Sequence, residues 1–437
     1  MELFGRSLLR LVAAAWLSSN CAAHQVSSGS TGTGLIGYGI PMWQPSCAYA
    51  CQRVLALSPL ECSEHHSGAR DNLQRRHGGH AANFTTSPDC FNHDRAFLLS
   101  LAWCLHQQCS EAHSAELWEL ERFWETDVVP DAHHAPNYTY FQALELCEGG
   151  LKPVVSQGHS LKEPSTLKPE NFEAARTYLA DFSRVEAQHS RYGIMLVIIM
   201  CLLPLILTLG NFLVAAMLPA LERRLLAHVI EPALWGRRHL VSLPYDIGMA
   251  PLRGQAILIA FIISLNIGLS TVSYQGTIPN LHYDSATGAY LTYLSNRTGY
   301  LSFANIVVVF LYSGRNNPLI ALSGWQYGTF VLLHRWVAYI CIAQAAAHTL
   351  LKINRHMSVL AEQFGKLYWS IGVAAILVFG VIFITSILPF RRRRYQTFVD
   401  VHNVLAVLTL VLCFLHVYVE FGYRWGYENW VVLAAVI

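Results

Sequence analysis

Charge is scarce in this chain. Of its 437 residues only 13% are charged while 53% are hydrophobic, against roughly 25% charged in soluble globular domains. The deficit points to a membrane protein before any segment is read. The formal net charge of +2 says little about partners, and no basic tract of the phosphate-gripping kind is present, so nucleic acid is set aside. His-Pro pairs are absent altogether. So is any G-x-G-x-x-G or Gly-Pro-rich turn placed after a strand, the arrangement by which many folds cradle a dinucleotide.

Cysteine is present but segregated. Cys47, Cys51, Cys62, Cys90, Cys104, Cys109 and Cys147 all precede the first long apolar run. That density suits an oxidising compartment and disulfides rather than a zinc site. Seven is odd, so three bridges are expected with one thiol left over, Cys47/Cys51 and Cys104/Cys109 taking part in a connectivity that spacing does not decide. Cys201, Cys341 and Cys413 lie in apolar segments and read as small buried hydrophobes. The N-terminus agrees with export. Arg6 and Arg10 precede the apolar run Leu11–Leu17, and Cys21-Ala22-Ala23 offers small residues for cleavage, so residues 1–23 read as a signal peptide; the run is short for a membrane anchor.

Residues 24–190 form a polar, mixed segment, expected outside the cell. Ser27–Gly34 is a flexible lead-in. Ala96–Cys109 and Ala115–Trp124 have helical spacing, Gly149–Glu170 is loop-like, and Glu173–Arg191 reads as a helix entering the membrane. Candidate spans follow at Gly193–Met217, Gln255–Tyr274, Leu301–Leu322, Thr329–Leu351, Leu367–Leu388 and Phe398–Val419, most near the ~20 residues needed to cross hydrocarbon. The third is the weakest, because Ser313–Pro318 ("SGRNNP") interrupts it. A last run begins at Trp430 and stops at Ile437, well short of a span. Alternating crossings put Arg223, Arg224, Arg237, Arg238, Arg253, Arg315 and Arg391–Arg394 inside. Only Arg297, Lys352, Arg355 and Lys366 fall in outer loops, which fits the positive-inside rule. The N-x-[ST] acceptors at Asn83, Asn137 and Asn296 all fall outside on this reading.

Four histidines stand where histidine is costly. His334 and His348 lie in one apolar span, His402 and His416 in another, each pair separated by 14 positions. Fourteen residues advance ~21 Å and nearly four turns, so both members of a pair share one helix face. The two spans are separated by one crossing and run parallel, so His334 is expected opposite His402 and His348 opposite His416. A zinc site would ask for more polar neighbours. Interhelical hydrogen bonding is the plainer use of a lone membrane histidine, but a matched double pair suits haem iron, which needs two axial ligands while the macrocycle fills the gap. Lacking any C-x-x-C-H stretch, the chain would hold b-type haem without covalent attachment. His356 lies beyond its span; His189, His228, His239 and His282 read as surface residues in loops or at borders. So do His65, His66, His77, His80, His133 and His134, which show no ligand spacing.

Ser313–Ile353, "SGRNNPLIALSGWQYGTFVLLHRWVAYICIAQAAAHTLLKI", resembles the membrane core of the fungal ferric-chelate reductases, relatives of the NADPH oxidases. Gly37–Ser63, "GYGIPMWQPSCAYACQRVLALSPLECS", resembles the ectodomain start of their filamentous-fungal branch. The resemblance implies a plasma-membrane reductase that takes electrons from cytosolic NADPH through FAD and two b-type haems. It implies ferric or cupric chelates as acceptors outside, beside an iron permease and oxidase uptake system. His334, His348, His402 and His416 would be the haem ligands, in a haem-binding domain at 301–437 preceded by first spans and loops at 191–300. The family's flavin stretch, H-P-F-[ST], has no counterpart. The chain is therefore expected to be C-terminally truncated, with no FAD or NADPH site of its own. A superoxide-generating oxidase and a non-catalytic haem-binding subunit stay open as alternatives. The expected fold is an all-α membrane protein of six to seven transmembrane helices with a four-histidine, two-haem helix pair, plus a small cysteine-rich α-helical extracellular domain.

Overall fold

The computed structural model describes residues 32–437 except 66–83, 113, 129–134, 148–149, 152–153, 155–158, 235–240, 243–249, 275, 279 and 284. The signal peptide, most of the 27–34 lead-in, Asn83, His66, His77, His80, His133, His134, Arg237, Arg238 and His239 lie outside the described residues.

The N-terminal part is stapled rather than large. Strands β1 (Leu35–Ile36) and β2 (Gly39–Ile40) pair in parallel and lead into helix α1 (Ser46–Leu55). Strands β3 (Glu64–His65) and β4 (Phe84–Thr85) pair antiparallel, followed by α2 (Pro88–His93) and α3 (Arg95–Leu105). Asp94 caps α3 by accepting from the Phe97 amide at 2.7 Å. Helices α4 (Leu117–Thr126) and α5 (Tyr140–Glu145) both begin with capping boxes, Glu116/Glu119 and Thr139/Gln142. Cys51–Cys104 joins α1 to α3, Cys47–Cys109 joins α1 to the turn after α3, and Cys62–Cys90 closes the β3–α2 region, with Cα separations of 6.0, 5.8 and 5.8 Å. The expected three bridges form, and Cys147 is the buried thiol left over.

Helix α6 (Pro169–Met217) carries the chain into the apolar region. Its 49 residues span about 74 Å, so it is far longer than a bilayer and crosses the boundary expected at residue 190 unbroken. Its first half packs under the disulfide-bonded part through Tyr178 and Phe182, which meet Trp43 at 6.3 and 5.2 Å. Its second half exposes Ile206, Phe212 and Met217, as a surface facing lipid would. Short α7 (Pro219–Leu225) follows, then α8 (Arg253–Thr271), α9 (Ala286–Ser313), α10 (Pro318–Ser323), α11 (Tyr327–Arg355), α12 (Leu360–Phe364), α13 (Leu367–Thr385), α14 (Leu388–Arg393), α15 (Tyr395–Phe421) and α16 (Glu428–Val436). Among the described residues five helices are long and apolar enough to cross a membrane: α6, α8, α11, α13 and α15.

The third span departs from expectation. The sequence placed it at Leu301–Leu322; the helix is α9, displaced toward the N-terminus, and Gly314–Asn317 separates it from α10. Its 28 residues would cross a bilayer, yet polar side chains keep it below the hydropathy of a lipid-facing span. The reason is its place. α9 packs against α6, α8, α11 and α16, so Ser295, Arg297, Ser302 and Asn305 face protein and are hydrogen-bonded there. Asn305 Nδ2 donates to Asn266 Oδ1 at 2.7 Å and to Gln344 Oε1 at 2.8 Å, tying α8, α9 and α11 in one polar layer.

Two further corrections concern Asn296 and Arg297, expected in an outer loop. Both lie within α9. Arg297 is fully buried, stacked between Tyr192 and Tyr274 at 4.6 and 4.7 Å, and donates from Nη1 to the Leu269 carbonyl at 3.0 Å. Its charge therefore belongs to the fold and drops out of the orientation count. Asn296 has its amide engaged on both sides and is not a free glycan acceptor: Nδ2 donates to Glu186 Oε1 at 3.4 Å, and Oδ1 accepts from Lys352 Nζ at 2.9 Å. His189, read as a surface residue, is wholly buried and meets Glu186 at 3.0 Å.

Candidate functional site

The four histidines sit in a slot between two helix pairs. α11 packs closely along α9, and α15 packs closely along α13, while α11 and α15 make little contact with each other. Across that slot His334 faces His402 with ring centroids 6.3 Å apart, and His348 faces His416 at 6.5 Å. The ring planes within each pair are inclined at 70° and 81°. The partners are those a parallel pair of spans dictates.

Each ring is held from behind. His334 Nδ1–H donates to the Val309 carbonyl at 2.9 Å and His348 Nδ1–H to the Ser295 carbonyl at 2.8 Å, both on α9. His416 Nδ1–H donates to the Tyr368 carbonyl on α13 at 2.8 Å. His402 Nδ1 lies 3.4 Å from the Ser386 hydroxyl at the end of α13. A carbonyl that accepts from Nδ1 fixes the tautomer and leaves Nε2 unprotonated, as a metal ligand must be. Ser295 and Val309 are themselves 14 positions apart, so α9 supports the spacing on α11 turn for turn.

The separation also fits. Metal–imidazole bonds of about 2.0 Å place the centres of two rings ligating one iron about 6.2 Å apart. Rings at 6.3 and 6.5 Å are too distant to hydrogen-bond each other and correctly spaced to share one metal ion. Two glycines permit this at the second pair. A Cβ on Gly299 of α9 would stand 2.7 Å from His348 Nδ1, and one on Gly372 of α13 would stand 2.8 Å from His416. Sequence reasoning found the histidines and missed both glycines. A glycine inside an apolar helical pattern signals close approach without saying to what. Ser386 and the three carbonyls leave no sequence signal of this role. Among the described residues no cluster of three or more His, Cys, Asp or Glu could hold a further metal ion.

Residues 298–413 match the family model described as ferric reductase like transmembrane component. In this segment the chain is similar to ferric reductases of fungi. Ferric reductase transmembrane component 3 of Saccharomyces cerevisiae is 30% identical over 214 residues, covering 47% of this chain and 30% of that protein. Ferric/cupric reductase transmembrane component 2 of the same yeast is 28% identical over 190 residues, 42% of this chain and 27% of that protein. A probable ferric reductase transmembrane component of Candida albicans is 27% identical over 178 residues, 39% and 26% respectively. The match covers less than a third of these ferric reductases. His334, His348 and His402 fall inside the matched family segment, and His416 lies three residues past its end. No solved structure matches the chain.

Proposed function

We propose that His334 with His402, and His348 with His416, are the axial ligands of two b-type haems, and that the chain is the electron-carrying membrane part of a metalloreductase. The observation that carries this is the pair of facing histidines repeated at two depths, each ring spaced for a shared iron and braced at Nδ1. Each haem supplies a one-electron iron centre. The protein supplies three ligands whose tautomer a carbonyl fixes, a fourth beside the Ser386 hydroxyl, and ~21 Å between centres along the helix axis.

The proposed direction is supported by the ends of the slot. Arg391–Arg394 border the His402 end, and the disulfide-bonded part lies over the His348 end. With basic loops inside, electrons enter beside His334 and His402 and leave beside His348 and His416 toward an extracellular acceptor at the plasma membrane. Ferric and cupric chelates are the acceptors suggested by the names of the yeast relatives. FAD and NADPH are the electron source the resemblance implies, and an iron permease and oxidase system is the destination of the reduced metal.

The test is spectroscopic and vectorial. The purified chain should contain two b-type haems by pyridine haemochrome, and any one of the four His→Leu substitutions should remove a single bis-imidazole signal. In sealed vesicles, a reductant confined to the arginine side should reduce a ferric chelate confined to the other. A chain without haem, or a His334→Leu variant with full haem content, would refute the assignment.

A further inference from the structure

The second histidine pair has a cation built in beside it. Lys352 lies one turn past His348 on the same face of α11. It stands near enough to His348 and His416 for its charge to act on both rings. Its ammonium is tethered, donating to Asn296 Oδ1 at 2.9 Å. Among the described residues no carboxylate comes within ion-pair distance of it; Arg355, Glu186 and Glu420 act on it from further away.

Glu186 is the acid that would be expected to neutralise this lysine, and it is engaged elsewhere. The carboxylate is wholly buried, meets His189 Nδ1 at 3.0 Å, accepts from the Tyr427 hydroxyl, and reaches Asn296 Nδ2 only at 3.4 Å. Asn296 therefore stands between Glu186 and Lys352 as a neutral spacer. It holds the ammonium in place without cancelling it, so Lys352 stands one turn from His348 with a neutral tether and no carboxylate within ion-pair distance among the described residues. In a low-dielectric interior such a charge stabilises an added electron nearby.

On the reading that each pair holds a haem, we propose that Lys352 is a positioning residue for electron delivery: its tethered charge holds the reduction potential of the His348/His416 centre up. The His334/His402 centre has its own cations, Arg335 and Arg391, and lies about 27 Å from Lys352 along α11, so the effect belongs to one centre.

Spectroelectrochemical titration of the purified chain and its Lys352→Gln variant tests this. The expected result is a shift of about tenfold toward the oxidised form in one of two haems, ~59 mV for a one-electron centre. The other midpoint should not move, and Lys352→Arg should restore the first. Should K352Q lose the second haem, N296D neutralises the same ammonium and should give the same fall. Two haems with unmoved midpoints in these variants overturn the role of Lys352 alone. A wild-type chain free of haem overturns the haem reading itself.

Discussion

At the scale of single residues, the glycines behind the second pair matter as much as the histidines in front. Gly299 and Gly372 approach His348 and His416 from opposite sides, each where an added Cβ would fall under 3.0 Å from a ring atom. Gly299→Ala or Gly372→Ala should push one ring out of register. The expected cost is that of overpacking, about 1–3 kcal/mol, and on the proposal that each histidine pair holds a haem the loss is concentrated in one of the two. The haem-to-protein ratio should fall from two toward one. Gly380→Ala on the same helix as Gly372 is the control, because nothing lies within 4 Å of its added methyl; it should keep both haems and gain slightly in stability, since alanine suits a helix interior better than glycine. An equal haem loss in all three variants would show that the close approach is not what the glycines provide.

At the scale of elements, two connections do most to fix the frame. The first is the pair of bridges from α1. Cys47 and Cys51 lie one turn apart and reach Cys109 and Cys104, so they form two rungs from α1, one to α3 and one to the turn that follows it. Removing the lower rung, as the double variant Cys51→Ala/Cys104→Ala, should cost about 2–4 kcal/mol. Thermal unfolding of the N-terminal part should register it, while the histidine slot keeps its spectrum. The second is Arg297. It binds the carbonyl end of α8 to α9 through Leu269 and Val272 at 3.0 and 3.3 Å. Arg297→Met would keep bulk and orphan the buried Leu269 carbonyl, a loss of about 1–3 kcal/mol for a buried group left unsatisfied. Detergent-solubilised R297M should therefore unfold at a distinctly lower temperature than wild type. An unchanged transition would mean that water reaches that carbonyl.

At the scale of the whole molecule, what the sequence revealed and what it hid have a common physical basis. Spans that face lipid must be apolar along their length, so α8, α11, α13 and α15 were legible within a few residues, as was the C-terminal end of α6. The histidine pairing was legible because a 14-residue repeat on parallel helices leaves one geometric solution. α9 was misplaced because a helix enclosed by other helices is released from the apolar requirement. Its half-buried Asn296 and buried Arg297 imitate a loop when read one residue at a time. His189 was misread for the same reason, since its partner Glu186 lies three positions back on a helix whose burial no local pattern announces. These errors bear directly on topology, because Asn296 had counted as evidence for an outer loop. Asn137 is exposed and sits in the disulfide-bonded part, whereas Asn296 is engaged by Glu186 and Lys352 inside α9. Glycan mapping of the chain expressed in a secretory host should thus find sugar at Asn137 and none at Asn296. Asn137→Gln should abolish the corresponding mobility shift, and Asn296→Gln should leave mobility unchanged. Sugar at Asn296 would require α9 to begin beyond that residue and would undo the enclosed third span. An unmodified Asn137 in that host would place the disulfide-bonded part on the other side of the membrane and reverse the direction of electron flow argued from the arginines.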